Sequence, residues 1–197
     1  MTHDIIVKEN PFCTRRIRPG ALPYLFAPGQ NAKLLVGHLQ ENHWWGEIIG
    51  PHGSGKSSLL SAIIPAIEQT GKTTLLIELH DGQRQLPLDL ANDCRLVPPV
   101  VVIVDGYEQL SRWNRGRLKR CCRSRGLGLL VTAHRSVGLP QIFQTMPSVN
   151  LAEQIVEQLL GNRESPIDTD SIRQCYARHS GNLREMLFDL YDLYQQR

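Results

Sequence analysis

The residues Gly50-Pro51-His52-Gly53-Ser54-Gly55-Lys56-Ser57 fit the spacing G-x-x-x-x-G-K-[ST] at every fixed position. Glycines at these points let the chain fold back so that successive backbone N–H groups converge on one anion. The positive end of a following helix strengthens that pull. The chemistry on offer is phosphate binding: Lys56 is placed to reach the β- and γ-phosphates of a nucleoside triphosphate, Ser57 to ligate Mg2+, and the binding set runs on to Ser58. The flanks agree, since Glu47-Ile48-Ile49 reads as the strand entering such a P-loop and Leu59-Leu60-Ser61-Ala62-Ile63-Ile64 as the helix leaving it.

Hydrolysis needs a second group that manages the metal. The run Val100-Val101-Val102-Ile103-Val104 reads as a parallel strand buried on both faces, and it ends in Asp105. A carboxylate at the C-terminal edge of such a strand lies where open α/β sheets bind ligands, so Asp105 fits the Walker B role of holding Mg2+ directly or through water. The competing role for Asp105 is a simple helix cap.

These elements need a scaffold, and the chain of 197 residues is long enough for one substantial core with a small appended subdomain. A net charge of +3 excludes no partner class. No apolar run of about eighteen residues and no charged-then-apolar leader occurs, which predicts a cytoplasmic protein without a membrane span. The five cysteines are odd in number and lack a C-x-x-C pair, which points to reduced thiols and no metal centre.

Punctuation and periodicity divide the chain into 1–43, a strap and helix; 44–149, the nucleotide-binding core; and 150–197, a helical lid. Asn10-Pro11, Pro19-Gly20, Pro23 and Pro28-Gly29 argue for an extended strap without regular structure. A helix over 30–42 then precedes a strand over 44–49. The loop helix is expected from Gly55 to about Gln69, kinked or shortened by Pro65. A strand over 73–79 follows, then an irregular stretch to Pro99, the Asp105 strand, a helix over 108–125 and a strand over 128–132. Strands alternating with helices predict an α/β fold with a parallel sheet sandwiched by helices. After Asn150 only helical patterns remain: one capped by Asn150 with Glu153, one with Ile172, Cys175, Tyr176 and His179 on a face, and one opened by Asn182 with Leu183, Met186, Leu187 and Leu190 inward.

The arrangement resembles an AAA-type P-loop ATPase. The matching residues are Gly50 to Ser57 (Walker A), Val100 to Asp105 (Walker B), Thr132-Ala133-His134 (the sensor 1 position) and Ser180-Gly181-Asn182-Leu183-Arg184-Glu185 (similar to sensor 2). The stretch from Pro23 to Leu35 is similar to the strap and helix ahead of the P-loop in ExeA-like and TniB-like AAA ATPases. This resemblance implies that Thr132 and His134 sense the γ-phosphate, that Arg184 touches it from the lid, and that Phe12 with Arg15-Arg16 edge an adenine. The chain also departs from the family. The glutamate usual after the Walker B aspartate is replaced by Gly106, leaving Glu108 or Glu78 to activate water, and no arginine stands at the trans-acting finger spacing apart from Arg135.

The helix over 108–125 carries Arg112, Arg115, Arg117, Lys119, Arg120, Arg123 and Arg125 opposite a face of Leu110, Trp113, Leu118 and Cys121. A solvated face, a nucleic-acid surface over 112–125 and an arginine finger from Arg123 or Arg125 are all compatible with that pattern. Trp44-Trp45 packs the start of the first strand or stacks on adenine. The expectation is a Mg2+-dependent, slow ATPase that binds ATP and switches an unknown protein partner or its own assembly. The catalytic set is Lys56, Asp105, Glu108 and Arg184. A P-loop small-molecule or nucleotide kinase and a non-hydrolysing ATP-binding module are the alternatives. The resemblance implies adenine over guanine, and no N-K-x-D segment that would read guanine is present.

Overall fold

The computed structural model describes residues 10–87, 89, 92–161, 163 and 165–196. In chain order the elements are α1 (Thr14–Ile17), α2 (Ala32–Glu41), β1 (Trp45–Ile49), α3 (Lys56–Glu68), β2 (Thr73–Glu78), β3 (Val100–Asp105), a 3-10 turn (Tyr107–Gln109), α4 (Arg112–Ser124), β4 (Gly128–Ala133), β5 (Gln141–Gln144), α5 (Val149–Leu160), α6 (Thr169–Arg178) and α7 (Leu183–Gln195). They form two units: Pro23–Met146, and Pro147–Arg197 together with the chain up to Leu22. No helix among the described residues is long and apolar enough to cross a membrane.

The first unit is an α/β layer structure around a five-stranded, all-parallel sheet in the order β2-β3-β4-β1-β5. Strand alternation sorts its side chains by parity. Val102, Val104, Leu129 and Val131 face Tyr107, Leu110, Leu118 and Cys122 on one side. Val101, Ile103, Leu130 and Ile48 face Leu35, Leu39, Leu59, Leu60, Ile63 and Ile67 on the other. All six residues of β4 are buried, which fits its place between β3 and β1. That placement is what matters for the site: the C-terminal end of β4 lies between the P-loop strand and the Asp105 strand.

α3 has the expected extent, Lys56–Glu68 between Gly55 and Gln69, and is not shortened by Pro65. Other local expectations are corrected. β1 starts at Trp45 because Trp44 has a left-handed φ of 66°. The expected helix over 108–125 is broken into the 3-10 turn and α4, whose N-terminus is capped by Ser111 accepting from the Asn114 N–H. Trp113 is 69% exposed and so is not part of the inward face, which is made by Leu118 and Cys122. β5 is an additional edge strand that no sequence pattern predicts: four residues with a glutamine at each end, of which only Ile142 is buried.

In the second unit α5, α6 and α7 pack around Ala152, Val156, Ile172, Cys175, Met186 and Leu190. The cap of α5 is Ser148, not Asn150, and Glu153 pairs with Arg173 at 2.8 Å instead of closing a capping box. Asp168 caps α6, and Asn182 caps α7 as expected. The described residues up to Leu22 contain the short helix α1 and pack on these helices. Phe12 is fully buried, edge-on to Tyr194 at 6.0 Å, and the Asn10 side chain donates to the Tyr191 carbonyl at 3.0 Å. Phe12 is therefore a core residue of this unit and not an adenine edge.

Candidate nucleotide site

The loop between β1 and α3 has the conformation its glycines permit. Gly53 and Gly55 are left-handed at φ 64° and 89°, and Gly55 N-caps α3. A β-carbon at Gly50 would collide with Thr145 and Ser54. Within the loop, the Lys56 ammonium donates to the Gly50 carbonyl at 2.8 Å and the Pro51 carbonyl at 2.7 Å. Burial holds its pKa below the ordinary lysine value, and the negative charges of Glu108 and Asp105 work against that shift. A proton on Lys56 thus already lies in the field of both acids.

The loop is clipped from outside by a residue that no motif or periodicity singles out. Thr145 follows β5, and its hydroxyl bonds that of Ser54 at 2.6 Å. Its N–H donates to the Ile49 carbonyl at 2.9 Å, while Ser54 also donates to the Pro51 carbonyl at 2.8 Å. Both hydroxyl residues are buried, so the network is shielded from competing water and fixes the loop to the edge strand.

Asp105 ends β3 on the face that carries α3, by the same alternation that buries Val101 and Ile103 there. The Thr132 hydroxyl donates to Asp105 Oδ1 and accepts the Gly106 N–H at 3.0 Å. Thr132 is thus a positioning residue for the acid, with its hydroxyl spent on Asp105 and Gly106. Asp105 Oδ2 and the Ser57 hydroxyl are the donors a Mg2+ ion would use. Among the described residues no group of three or more His, Cys, Asp or Glu side chains could hold a metal alone.

Gly106 has a physical reason to be glycine. Its φ is 79°, and a β-carbon there would lie 2.8 Å from the Leu79 carbonyl oxygen. A glutamate after Asp105 does not fit this turn. Instead the tight turn brings Glu108 round so that its Oε1 meets His134 Nε2 at 3.0 Å. Its Oε2 is buried without a hydrogen-bond partner. The turn is locked from α4: Arg115 donates to the Leu110 carbonyl at 2.8 Å and the Glu108 carbonyl at 2.6 Å, and its guanidinium lies over the Tyr107 ring.

His134 stands just past β4, its ring centroid 3.5 Å from that of His52 in the P-loop. Burial lowers its pKa. Glu108 opposes that shift, Lys56 and His52 reinforce it, and Asp81 opposes it more weakly. The imidazole is therefore neutral near pH 7 and donates one N–H to Glu108. Lys56, His52, Asp105, Glu108, Thr132 and His134 are thus brought into one neighbourhood. Glu78 shares the register of Asp105 on the neighbouring strand but is exposed. Arg184 lies in the other unit, where Asn182 Oδ1 accepts its backbone N–H at 3.1 Å. Its guanidinium is exposed.

Much of the basic helix is structurally engaged. Besides Arg115, Lys119 donates to the Val137 carbonyl at 3.1 Å, Arg123 lies over the Trp45 ring at 5.2 Å, and Arg117 over Trp113 at 4.7 Å. Glu47, buried in β1, accepts the Val137 and Leu139 N–H groups at 2.9 and 3.1 Å and so anchors the loop leaving His134. The Trp45 indole donates to the Leu127 carbonyl at 3.2 Å, which settles it as a packing residue.

Fold and loop together define a Walker-type P-loop α/β fold. No protein-family model matches the chain, and no curated protein matches it. Solved structures do match. Orc1 of Aeropyrum pernix in complex with DNA is 16% identical with a TM-score of 0.56, covering 82% of this chain and 58% of its own. NtrX of Brucella abortus in complex with ADP is 13% identical, TM-score 0.55, covering 89% and 52%. A Walker-type ATPase of Pyrococcus abyssi is 12% identical, TM-score 0.54, covering 90% and 69%. The chain thus spans little more than half the length of the first two, and at these identities the likeness establishes the fold.

Proposed function

We propose that the chain binds ATP with Mg2+ and hydrolyses it slowly, with Glu108 as the base. The observation that carries this reading is the Glu108 carboxylate, one oxygen fixed by His134 and the other buried with no partner, within the field of Lys56. A buried orphan acceptor costs about 1–3 kcal/mol unless something donates to it, and an attacking water supplies that donor. The loop N–H groups and Lys56 would hold the triphosphate, and Asp105 and Ser57 the metal. Mg2+, when bound, neutralises charge on the phosphate oxygens. Glu108 Oε2 then takes a proton as the water oxygen bonds to the γ-phosphorus and the bond to the β-γ bridging oxygen breaks, giving ADP and phosphate.

The NtrX complexes with ATP and ADP support an adenine nucleotide, and the DNA complex of Orc1 is compatible with a nucleic-acid partner. The AAA-type assignment, and within it the ExeA-like or TniB-like one, is supported by residues 23–31, which lie outside helix and strand, and the Asn31-capped helix α2 ahead of β1. In this reading Arg184 couples the helical unit to the γ-phosphate and the chain acts as a switch on a partner in the cytoplasm. Purified protein should release phosphate from ATP without any acceptor, whereas a kinase requires one and a binding module leaves ATP intact for hours. Arg184→Ala should reduce the preference for ATP over ADP and abolish any ATP-dependent change in protease sensitivity over 150–197. An unchanged preference removes Arg184 from the switch.

A further inference from the structure

The solvent side of α4 carries a stripe that packing inside the chain does not explain. At about 100° per residue, Trp113, Gly116, Arg117 and Arg120 share one face of the helix, opposite the buried Leu118 and Cys122. Trp113 is 69% exposed, a large apolar surface left in water. Gly116 lies in the interior of the helix, where glycine is disfavoured. No left-handed φ requires it there, and a β-carbon on it would meet nothing within 4 Å. The absent side chain therefore serves no contact within this protein and leaves room on the outside. Arg112, Arg117 and Arg120 are exposed around the indole. Among the described residues Arg112 and Arg120 make no hydrogen bond or ion pair, and Arg117 is stacked on Trp113 at 4.7 Å.

We propose that this face binds single-stranded nucleic acid, with an unpaired base stacked on Trp113, the strand crossing the helix over Gly116, and the flanking phosphates on Arg112, Arg117 and Arg120. An exposed indole with Arg117 over one side of the ring, beside Arg112 and Arg120 that make no hydrogen bond or ion pair among the described residues, is a combination that single strands use, since every base offers a π-face and every linkage a negative charge. A duplex keeps its base faces stacked and cannot offer one to the indole. Protein interfaces also use tryptophan and arginine, but α4 carries no Asp or Glu beside its exposed guanidinium groups, a one-sign surface that matches a polyanion. The recess beside Trp113 also contains Gln85, Leu86 and Asp89. The Asp89 carboxylate accepts from the Asn92 side chain at 2.7 Å, and its charge turns a base edge, not a phosphate, toward that wall.

The test is fluorescence anisotropy of a labelled oligodeoxythymidylate with the full chain at low and raised salt. The unmodified protein should bind it more tightly than a duplex of the same length. Trp113→Ala should weaken binding at least about tenfold, the scale of one lost base stack. Arg120→Gln should lower the slope of log affinity against log salt by about 0.7. Gly116→Leu should maintain or raise the melting temperature, since leucine is the better helix former, and still weaken binding tenfold or more; this separates a blocked surface from a misfolded one. Absence of oligonucleotide binding at low salt overturns the proposal, as does binding that Trp113→Ala and Gly116→Leu leave unchanged. Concentration-dependent self-association lost in Trp113→Ala, without oligonucleotide binding, would assign the face to a second copy of the chain instead.

Discussion

The P-loop and the turn after Asp105 lie at the same edge of the sheet but are specified in opposite ways. The P-loop is written locally: its glycines, Lys56 and Ser57 follow one another, and the backbone conformation follows from their spacing. The acid turn is assembled from distance. Gly106 is imposed by the Leu79 carbonyl, Asp105 is held by Thr132 from the next strand, Glu108 is gripped by Arg115 from α4, and its carboxylate is aimed by His134. A phosphate cradle can therefore be recognised from a few consecutive residues. A base for water is recognised only once the strands are in order.

Substitutions on the two sides should differ accordingly. Lys56→Ala removes the single cation of the cradle and should abolish ATP binding or weaken it more than about 100-fold, the largest effect expected, as checked by titration calorimetry. Gly106→Glu restores the residue type usual after a Walker B aspartate, yet here it should cost stability and fail to speed hydrolysis. The left-handed backbone alone costs about 1–2 kcal/mol, and the Leu79 oxygen blocks the new β-carbon. A lower melting temperature in thermal denaturation checks this; an unchanged melting temperature with faster turnover would contradict it.

The smallest effect concerns His134. Its folded pKa lies below the ordinary histidine value, so the unfolded chain binds more protons than the folded one between those two values. Stability contributed by the neutral ring is present above pH ~6.5 and is lost as pH falls through the ordinary histidine pKa toward the depressed one. His134→Gln should flatten that dependence in denaturant titrations at pH 7.5 and 5.5. Hydrolysis should also slow as the pH falls through the depressed pKa, because imidazolium beside Glu108 weakens the base.

The legible and illegible parts of the fold divide along the same line. The apolar run ending in Asp105, the helix after the P-loop and the cap at Asn182 could be read because each is a local pattern with its own physical cause. β5 could not: four residues with a single buried side chain carry no periodicity, so Thr145, which pins the loop through Ser54, gave no signal. Trp113 was misplaced because the buried line of α4 is set by Leu118 and Cys122, and five residues of helix put Trp113 about 140° away from Leu118. Asn150 and Glu153 had the spacing of a cap, but Ser148 starts the helix two residues earlier and Arg173 takes the glutamate. Glu108 was legible as a carboxylate near Asp105. Its geometry was not, because the 3-10 turn depends on Gly106 and Arg115.

The central claim is that the acid turn supplies the base through Glu108. The direct measurement is Mg2+-dependent phosphate release from ATP by the unmodified protein, Glu108→Gln and Glu78→Gln, with ATP affinity measured on the same preparations. The account predicts that Glu108→Gln loses at least ~100-fold in turnover while retaining its affinity, and that Glu78→Gln behaves as the unmodified chain. Undiminished turnover in Glu108→Gln, or an equal loss confined to Glu78→Gln, would contradict it.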